Sequence, residues 1–414
     1  MGRSLTVRQA RLVLPDRIVT GDLAVEDGVI SEIGPRVDRT VGVEIDGRNK
    51  VLLPGAVDLA VHVDTIEDLS ALSTAAIAGG VTSVLAVGPA ATEAELKIEL
   101  ARAAEISRVH AGLYLVAAGG NTDQIAADER ARGVWLPGAV LHDPSAADAV
   151  FAAATRPIVV ENRDPERLVG RAQLYAEPTS PADHTRIHDV DSAVSATRRA
   201  LDVAQRHGRP TLLAHVSAAE ELALLVDRPP CVSAAVQTAH LFLDDSDYAR
   251  LGTRAVTCPA LRAPRHREAL WAALQEGRLD LVCSGHRPIR AEWKDRPYPE
   301  TVPGLPAVQW TLPLLLDAVA AGRCALGDVA RWTAEAPARF ARLTRKGRLE
   351  TGYDGDLVLV DPELVRPVGD AAGTPSWSPW AGRELRGWPV LTVLLGEIAH
   401  REGETVVGVR GRAL

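Results

Sequence analysis

The sequence predicts an α/β protein, a (β/α)8 TIM-type barrel over residues 54–345 with a small β-sandwich domain that residues 1–53 begin and residues 346–414 complete. Three observations lead there. From residue 54 onward, short apolar runs alternate with alanine-rich stretches of helical texture, the pattern of repeated βα units. Strand texture without helices is confined to the two ends, whose half-buried faces need each other. No Gly-x-Gly-x-x-Gly follows any apolar run, which removes the main signal of a dinucleotide-binding open sheet.

Taken in order, strands are expected at Leu5–Leu14, Arg17–Val25 and Gly28–Ile33, the last after an Asp27-Gly28 turn, then at Val43–Ile45 and Val51–Leu53. The barrel is expected to start with the strand Ala56–Val61 and a helix near Leu69–Ala78. Ser83–Val87, a helix at Glu93–Ile106, Gly112–Ala117 and a strand region within Gly133–Pro144 follow. Next come Ile158–Val160, the helix Val190–His207, Thr211–His215, the helix Ala218–Leu225, and strands at Val232–Gln237, Ala255–Cys258 and Leu279–Ser284. Leu357–Val360, Val390–Leu395, Glu397–His400 and Thr405–Val409 return to strand texture. Between them, Val368–Trp380 reads as a loop rich in Gly, Pro and Ser whose tryptophans anchor it.

Composition narrows the function classes. At 414 residues, with 46% hydrophobic residues, the chain has material for a large core and a second small domain. A net charge of −8 speaks against a nucleic-acid partner, which needs a basic face. No apolar run approaches the ~20 residues of a membrane helix. Met1–Leu14 carries Arg3, Arg8 and Arg11 and has no h-region of a secretory leader, so a cytoplasmic location is expected. Cys231, Cys258, Cys283 and Cys324 are widely spaced and read as reduced, mostly buried thiols. The chain has four lysines (Lys50, Lys97, Lys294 and Lys346) against 42 arginines, the 46 basic residues less those four.

Six motifs in order carry a family resemblance. Val51-Leu52-Leu53-Pro54-Gly55-Ala56-Val57-Asp58 resembles the "LPGxID" that precedes His-x-His on a first barrel strand. Ala78-Gly79-Gly80-Val81-Thr82-Ser83-Val84 resembles "AGGVTTV", and Leu212-Leu213-Ala214-His215-Val216-Ser217 an apolar run ending in His-x-Ser. Cys258-Pro259-Ala260-Leu261-Arg262 is similar to "NPPLR". Lys346-Gly347-Arg348-Leu349 with Asp354-Gly355-Asp356-Leu357-Val358 is similar to "KGxIxxGxDADLV". Ser378-Pro379-Trp380 before Leu385-Arg386-Gly387 resembles a closing β segment. Together these resemble the amidohydrolases, and among them the dihydroorotases.

The resemblance implies a metal centre at the C-terminal mouth of the barrel, where the metal makes hydroxide available at neutral pH. In the family, His-x-His on strand one, a carboxylated lysine on strand four and histidines on strands five and six hold it. An aspartate after strand eight takes the proton. In this chain His-x-His has become Ala60-Val61-His62, and a methyl group ligates nothing. Lys97 follows a capping box, Thr92-x-x-Glu95, at a solvated helix position. Asp143 is the one carboxylate near strand four, and Asp-Pro reads rather as a turn. Glu161 stands where the strand-five histidine belongs, and pairing with Arg163 competes with ligation. His215 is kept. "TDHAPH" has become Ser284-Gly285-His286-Arg287-Pro288-Ile289, so Gly285 replaces the general base. Asp64, Pro89 and Cys258 replace residues that in the family contact substrate. His240 and Arg262 remain and are expected to support the fold.

The resemblance therefore implies a non-catalytic dihydroorotase-like chain, structural or regulatory, with no cofactor. The metal positions His62, Glu161 and His215 and the catalytic positions Gly285 and His286 are read as remnants. Several bacteria pair such an inactive chain with aspartate transcarbamoylase, so that enzyme is the expected partner, with self-association into a homo-oligomer. The enzymatic alternative is a mononuclear zinc site of His62, Glu161 and His215 acting on a cyclic amide, with His286 as base. A metabolite sensor using the old pocket is the third reading.

Overall fold

Runs of valine, leucine and alanine only three to seven residues long, such as Ile158–Val160 and Val81–Val87, are too short for core helices and are buried throughout. That is the signature of parallel strands covered on both faces. The computed structural model describes residues 3–38, 40–175, 180–370, 372–373 and 377–414.

The first strands are β1 (Leu5–Val13), β2 (Ile18–Glu26), β3 (Val29–Gly34), β4 (Val43–Asp46) and β5 (Val51–Pro54). Eight strands follow in chain order: β6 (Ala56–His62), β7 (Val81–Val87), β8 (His110–Val116), β9 (Gly133–Leu136), β10 (Ile158–Val160), β11 (Thr211–Leu213), β12 (Val232–Gln237) and β13 (Leu281–Cys283). Each pairs in parallel with the next. The ring closes where Val61 bridges His286 and the His62 amide donates to the His286 carbonyl at 2.8 Å. The chain is a (β/α)8 barrel with an attached β domain.

Alternation sorts each strand's residues between two cores. Val57, Leu85, Tyr114, Trp135, Val159 and Leu281 point inward and pack as one cluster. Val84, Leu113, Val134, Val160 and Val236 point outward against the helices. The helix Glu93–Ile106 starts with the expected capping box of Thr92 and Glu95, and Val190–His207 runs from an Asp189 cap to Gly208 at φ 62°.

The last strands are β14 (Leu357–Pro367), β15 (Glu384–Leu394), β16 (Glu397–Arg401) and β17 (Glu404–Thr405). They join β1–β5 in one nine-stranded sheet ordered β17-β16-β15-β14-β5-β1-β2-β3, with β4 on β1. The two chain ends meet at β5 and β14, where Leu53 opposes Val358. Leu5, Val7, Leu23, Leu52, Leu359 and Val393 form the domain's apolar cluster. A buried ionic knot lies at its edge. Asp356 accepts from Lys346 Nζ at 2.6 Å and pairs with His110 Nε2 at 3.2 Å.

Two expected strands are corrected. Ala255–Cys258 is not a strand: Gly252–Ala255 is a 3-10 turn and the next residues have no ladder partner. Side chains replace the ladder there, since Lys294 Nζ donates to the Val256 carbonyl and His184 Nε2 to that of Thr257. Thr405–Val409 is strand only at its first residue, because the ladder with β16 ends at Thr405 and a single further bond, from the Val406 amide to the Ala399 carbonyl, follows it. Of the loop Val368–Trp380, residue 371 and residues 374–376 lie outside the described residues. Trp377 and Trp380 are buried, and the Trp377 indole N–H donates to the Ile289 carbonyl at 2.8 Å.

Candidate active site

The C-terminal ends of parallel barrel strands converge on one mouth, which is where barrel folds carry their chemistry. Here that mouth receives His62 from β6, Trp135 from β9, Glu161 from just past β10, His215 from just past β11, Gln237 from β12 and Gly285 from just past β13.

Trp135 occupies the inward position of the fourth barrel strand. Its indole meets the His62 ring edge-on, with centroids 5.2 Å apart at 89°, and lies 5.8 Å from the His215 ring. The indole is 4% exposed, so both retained histidines pack on a large apolar ring. Burial, then the neighbouring His215 and Arg287, push the His62 pKa down to about 3. Burial pushes His215 down to about 4, against the opposing field of Glu161.

Gln237 fills the place of the missing base. A Cβ built on Gly285 would lie 2.5 Å from Gln237 Cδ, and Gly285 itself has φ +63°. The Gln237 amide donates to His215 Nδ1 at 2.8 Å, which fixes the His215 proton on Nε2. The Ala60 methyl, the packed Trp135 ring, the Gln237 amide and the bare Gly285 thus line this part of the mouth.

The other retained residues are held in structural contacts. Glu161 accepts from Arg163 Nε at 3.1 Å and from the Gly138 amide at 3.2 Å. His286 Nδ1 accepts from the Ala307 and Val308 amides at 3.0 and 3.3 Å, so its lone pair is taken, and burial pushes its pKa down to about 3. His240 Nε2 donates to the Ala260 carbonyl at 3.2 Å. Arg262 donates to the His188 carbonyl and to Ser217 Oγ. Asp143 caps the helix Pro144–Ala153 through the Ser145 and Ala146 amides, Lys97 is exposed on its helix, and Asp64 lies 3.5 Å from Arg287 at the rim.

Space at the mouth is divided. Between Glu161, Arg163, His188, His215, Cys258 and Arg262 lies a pocket of ≈ 20 Å³, room for about one water. A wider depression of ≈ 400 Å³ opens beside His62, Asp64, Thr65, Arg287 and Trp293. Among the described residues, the one trio of His, Cys or carboxylate side chains whose ligand atoms all lie within 4.8 Å of each other is His184, His188 and Cys258. His62, Glu161 and His215 do not form such a trio. The barrel centre does not fit the metal that its fold implies: one ligand position is a methyl group, an indole packs on two others, and an amide binds His215. Sequence reasoning missed Trp135, Gln237 and the His184/His188/Cys258 trio. The visible signals were a tryptophan in a four-residue barrel strand and a His-x-x-x-His spacing.

Fold and strand-end positions define a (β/α)8 barrel with its candidate site at the C-terminal mouth. Residues 51–399 match the profile of the amidohydrolase family, and the chain belongs to that family. Curated relatives span nearly its whole length. A dihydroorotase of Halobacterium salinarum is 31% identical over 95% of this chain and 99% of its own. A dihydroorotase of Methanothermobacter thermautotrophicus is 27% identical over 95% and 94%. An allantoinase of Rubrobacter xylanophilus is 30% identical over 94% and 93%. In fold, the chain is similar to the L-hydantoinase (dihydropyrimidinase) of Arthrobacter aurescens, with a TM-score of 0.92 at 24% identity over 97% of both chains.

Proposed function

We propose that this chain is a non-catalytic member of the family, of dihydroorotase type, whose barrel serves a structural or regulatory role. One observation carries the reading: Trp135 packs on both His62 and His215, and Gln237 lies where a side chain on Gly285 would start. Generating hydroxide needs a metal with an open position and a group to take the proton. An indole supplies neither, and Gly285 has no side chain. The pocket that Glu161 and His215 share, ≈ 20 Å³, has room for about one water, and the ≈ 400 Å³ depression beside His62 is lined by neither of them.

The partner proposed is aspartate transcarbamoylase, on the family analogy alone. The helix Pro165–Leu174 buries none of its residues and leaves Val169 and Leu174 exposed, a segment open to association. Self-association is proposed with it, and light scattering of the isolated chain tests that.

The test is turnover of dihydroorotate and allantoin by the full-length chain, purified without chelator and assayed with added zinc. Background rates in both assays are expected. Ring opening that disappears in His215→Ala would overturn the reading and return the chain to the cyclic-amide hydrolases its relatives are named for. Co-purification with the transcarbamoylase, and impaired transcarbamoylase assembly without this chain, are the expected results for the partner. Absence of both removes it.

A further inference from the structure

The loops above the barrel mouth bring together a second set of metal-binding side chains, which the strand ends do not supply. His184 and His188 are four residues apart, within and just after the short helix Asp183–Ile187, a spacing that puts both rings on one side of a turn. Their ring centroids are 4.1 Å apart. Cys258 reaches them from the segment before Pro259, with Sγ 3.8 Å from His188 Nδ1. One ligand atom from each of the three lies within 4.8 Å of the other two.

The surroundings orient these groups as ligands. His184 Nε2–H donates to the Thr257 carbonyl at 2.8 Å, which leaves the lone pair on Nδ1. A histidine that donates its outer N–H to a backbone carbonyl is the usual second-sphere arrangement around a bound metal. The Tyr298 hydroxyl lies 3.3 Å from that Nδ1 and donates to it, so it turns away as a metal binds. Tetrahedral zinc at ordinary bond lengths sets a sulfur–nitrogen separation of about 3.5 Å. The Cys258–His188 distance needs only a small contraction to meet it.

We propose that His184, His188 and Cys258 form a metal site for zinc or a cation of similar softness, displaced from the family's centre at the strand ends. Two imidazoles and one thiolate suit that class of ion, and three protein ligands leave a fourth position for water. The one-water pocket bordered by His188 and Cys258 supplies room for it. On binding, the Cys258 S–H bond breaks, its proton passes to solvent and a metal–sulfur bond forms, with no change in oxidation state. Burial pushes the Cys258 thiol up, and the neighbouring Arg163 opposes that shift while tempering the affinity for a dication. Burial keeps both imidazoles neutral, the form that ligates. The site does not depend on whether the barrel centre is inactive.

The test uses the full-length chain, stripped with a chelator and titrated with Co²⁺. The expected result is a saturable thiolate-to-cobalt charge-transfer band that Zn²⁺ bleaches. It should be lost in Cys258→Ser and His188→Gln and kept in the double variant His62→Ala/His215→Ala. A wild-type protein without the band overturns the proposal, as does a band that survives Cys258→Ser or one that vanishes in the double variant. If the trio variants fail to fold, alkylation of the wild type decides: zinc should slow modification of Cys258 by about tenfold or more. An unchanged rate overturns the site.

Discussion

Replacing Trp135 by alanine tests the claim that the barrel mouth is packed rather than poised. A tryptophan buries on the order of 200 Å², and this one is 4% exposed. At about 25 cal/mol per Å² its removal forfeits roughly 5 kcal/mol of transfer free energy, of which alanine restores a small part. Tyr114, His62 and His215 surround the indole and sit on different strands, so the hole cannot close by one side-chain movement. Relaxation and residual cavity leave a cost of about 3–5 kcal/mol. Urea unfolding of wild type and Trp135→Ala, compared at equal slope, reads that difference as a lower midpoint. Trp293→Ala, at a tryptophan 44% exposed on the rim, is the control and should fall within about 0.5 kcal/mol of wild type. A loss under about 1 kcal/mol for Trp135→Ala would refute the packing argument and reopen the mouth as a functional cavity.

Three further outcomes follow from the geometry. Gly285→Asp, which restores the family's base, should give no turnover and should destabilise, because its Cβ meets Gln237 at 2.5 Å and its φ is +63°. Adding Gln237→Ala should recover part of the loss in a double-mutant cycle, and strict additivity would show that the two do not touch. Asp356→Asn leaves buried His110 without its carboxylate and Lys346 with Asp354 alone, and should cost about 1–3 kcal/mol by urea unfolding. Burial alone would raise the Asp356 carboxyl; His110 and Lys346 overcome it and hold it well below the usual carboxylate range. An unchanged midpoint would refute the knot. Acid should unfold the chain through its histidines. His62, His240 and His286 are pushed to about 3, and His184 and His215 to about 4, against 6.5 for a free imidazole, mainly by burial. Between those values the unfolded state binds more protons, so stability is full above about pH 6.5 and falls as pH drops towards 4. Each such histidine contributes about 1.4 kcal/mol per pH unit in that window. A flat urea midpoint from pH 7 to 5 would contradict their burial.

That Ala60 and Gly285 can neither ligate a metal nor move a proton was legible from the sequence, because a methyl group and a hydrogen have the same chemical incapacity in any fold. So were the strands β6 to β13 and the two long capped helices, where apolar period and capping residues are local signals. The Ala255–Cys258 segment was misread for the converse reason: apolar residues before a proline look like a strand, and only distant Lys294 and His184 show that side chains satisfy its carbonyls.

By itself the sequence determined the barrel, its family and which residue types stand at the strand ends, since each rests on residue identity or local spacing. Only the tertiary structure decided what packs against them. Trp135, His62 and Gln237 come from three different strands and His215 from just past a fourth, and His188 and Cys258 from loops 70 residues apart. Whether an emptied site is packed, wet or rebuilt nearby depends on which side chains the closed barrel brings within van der Waals reach, and chain order carries no such distance.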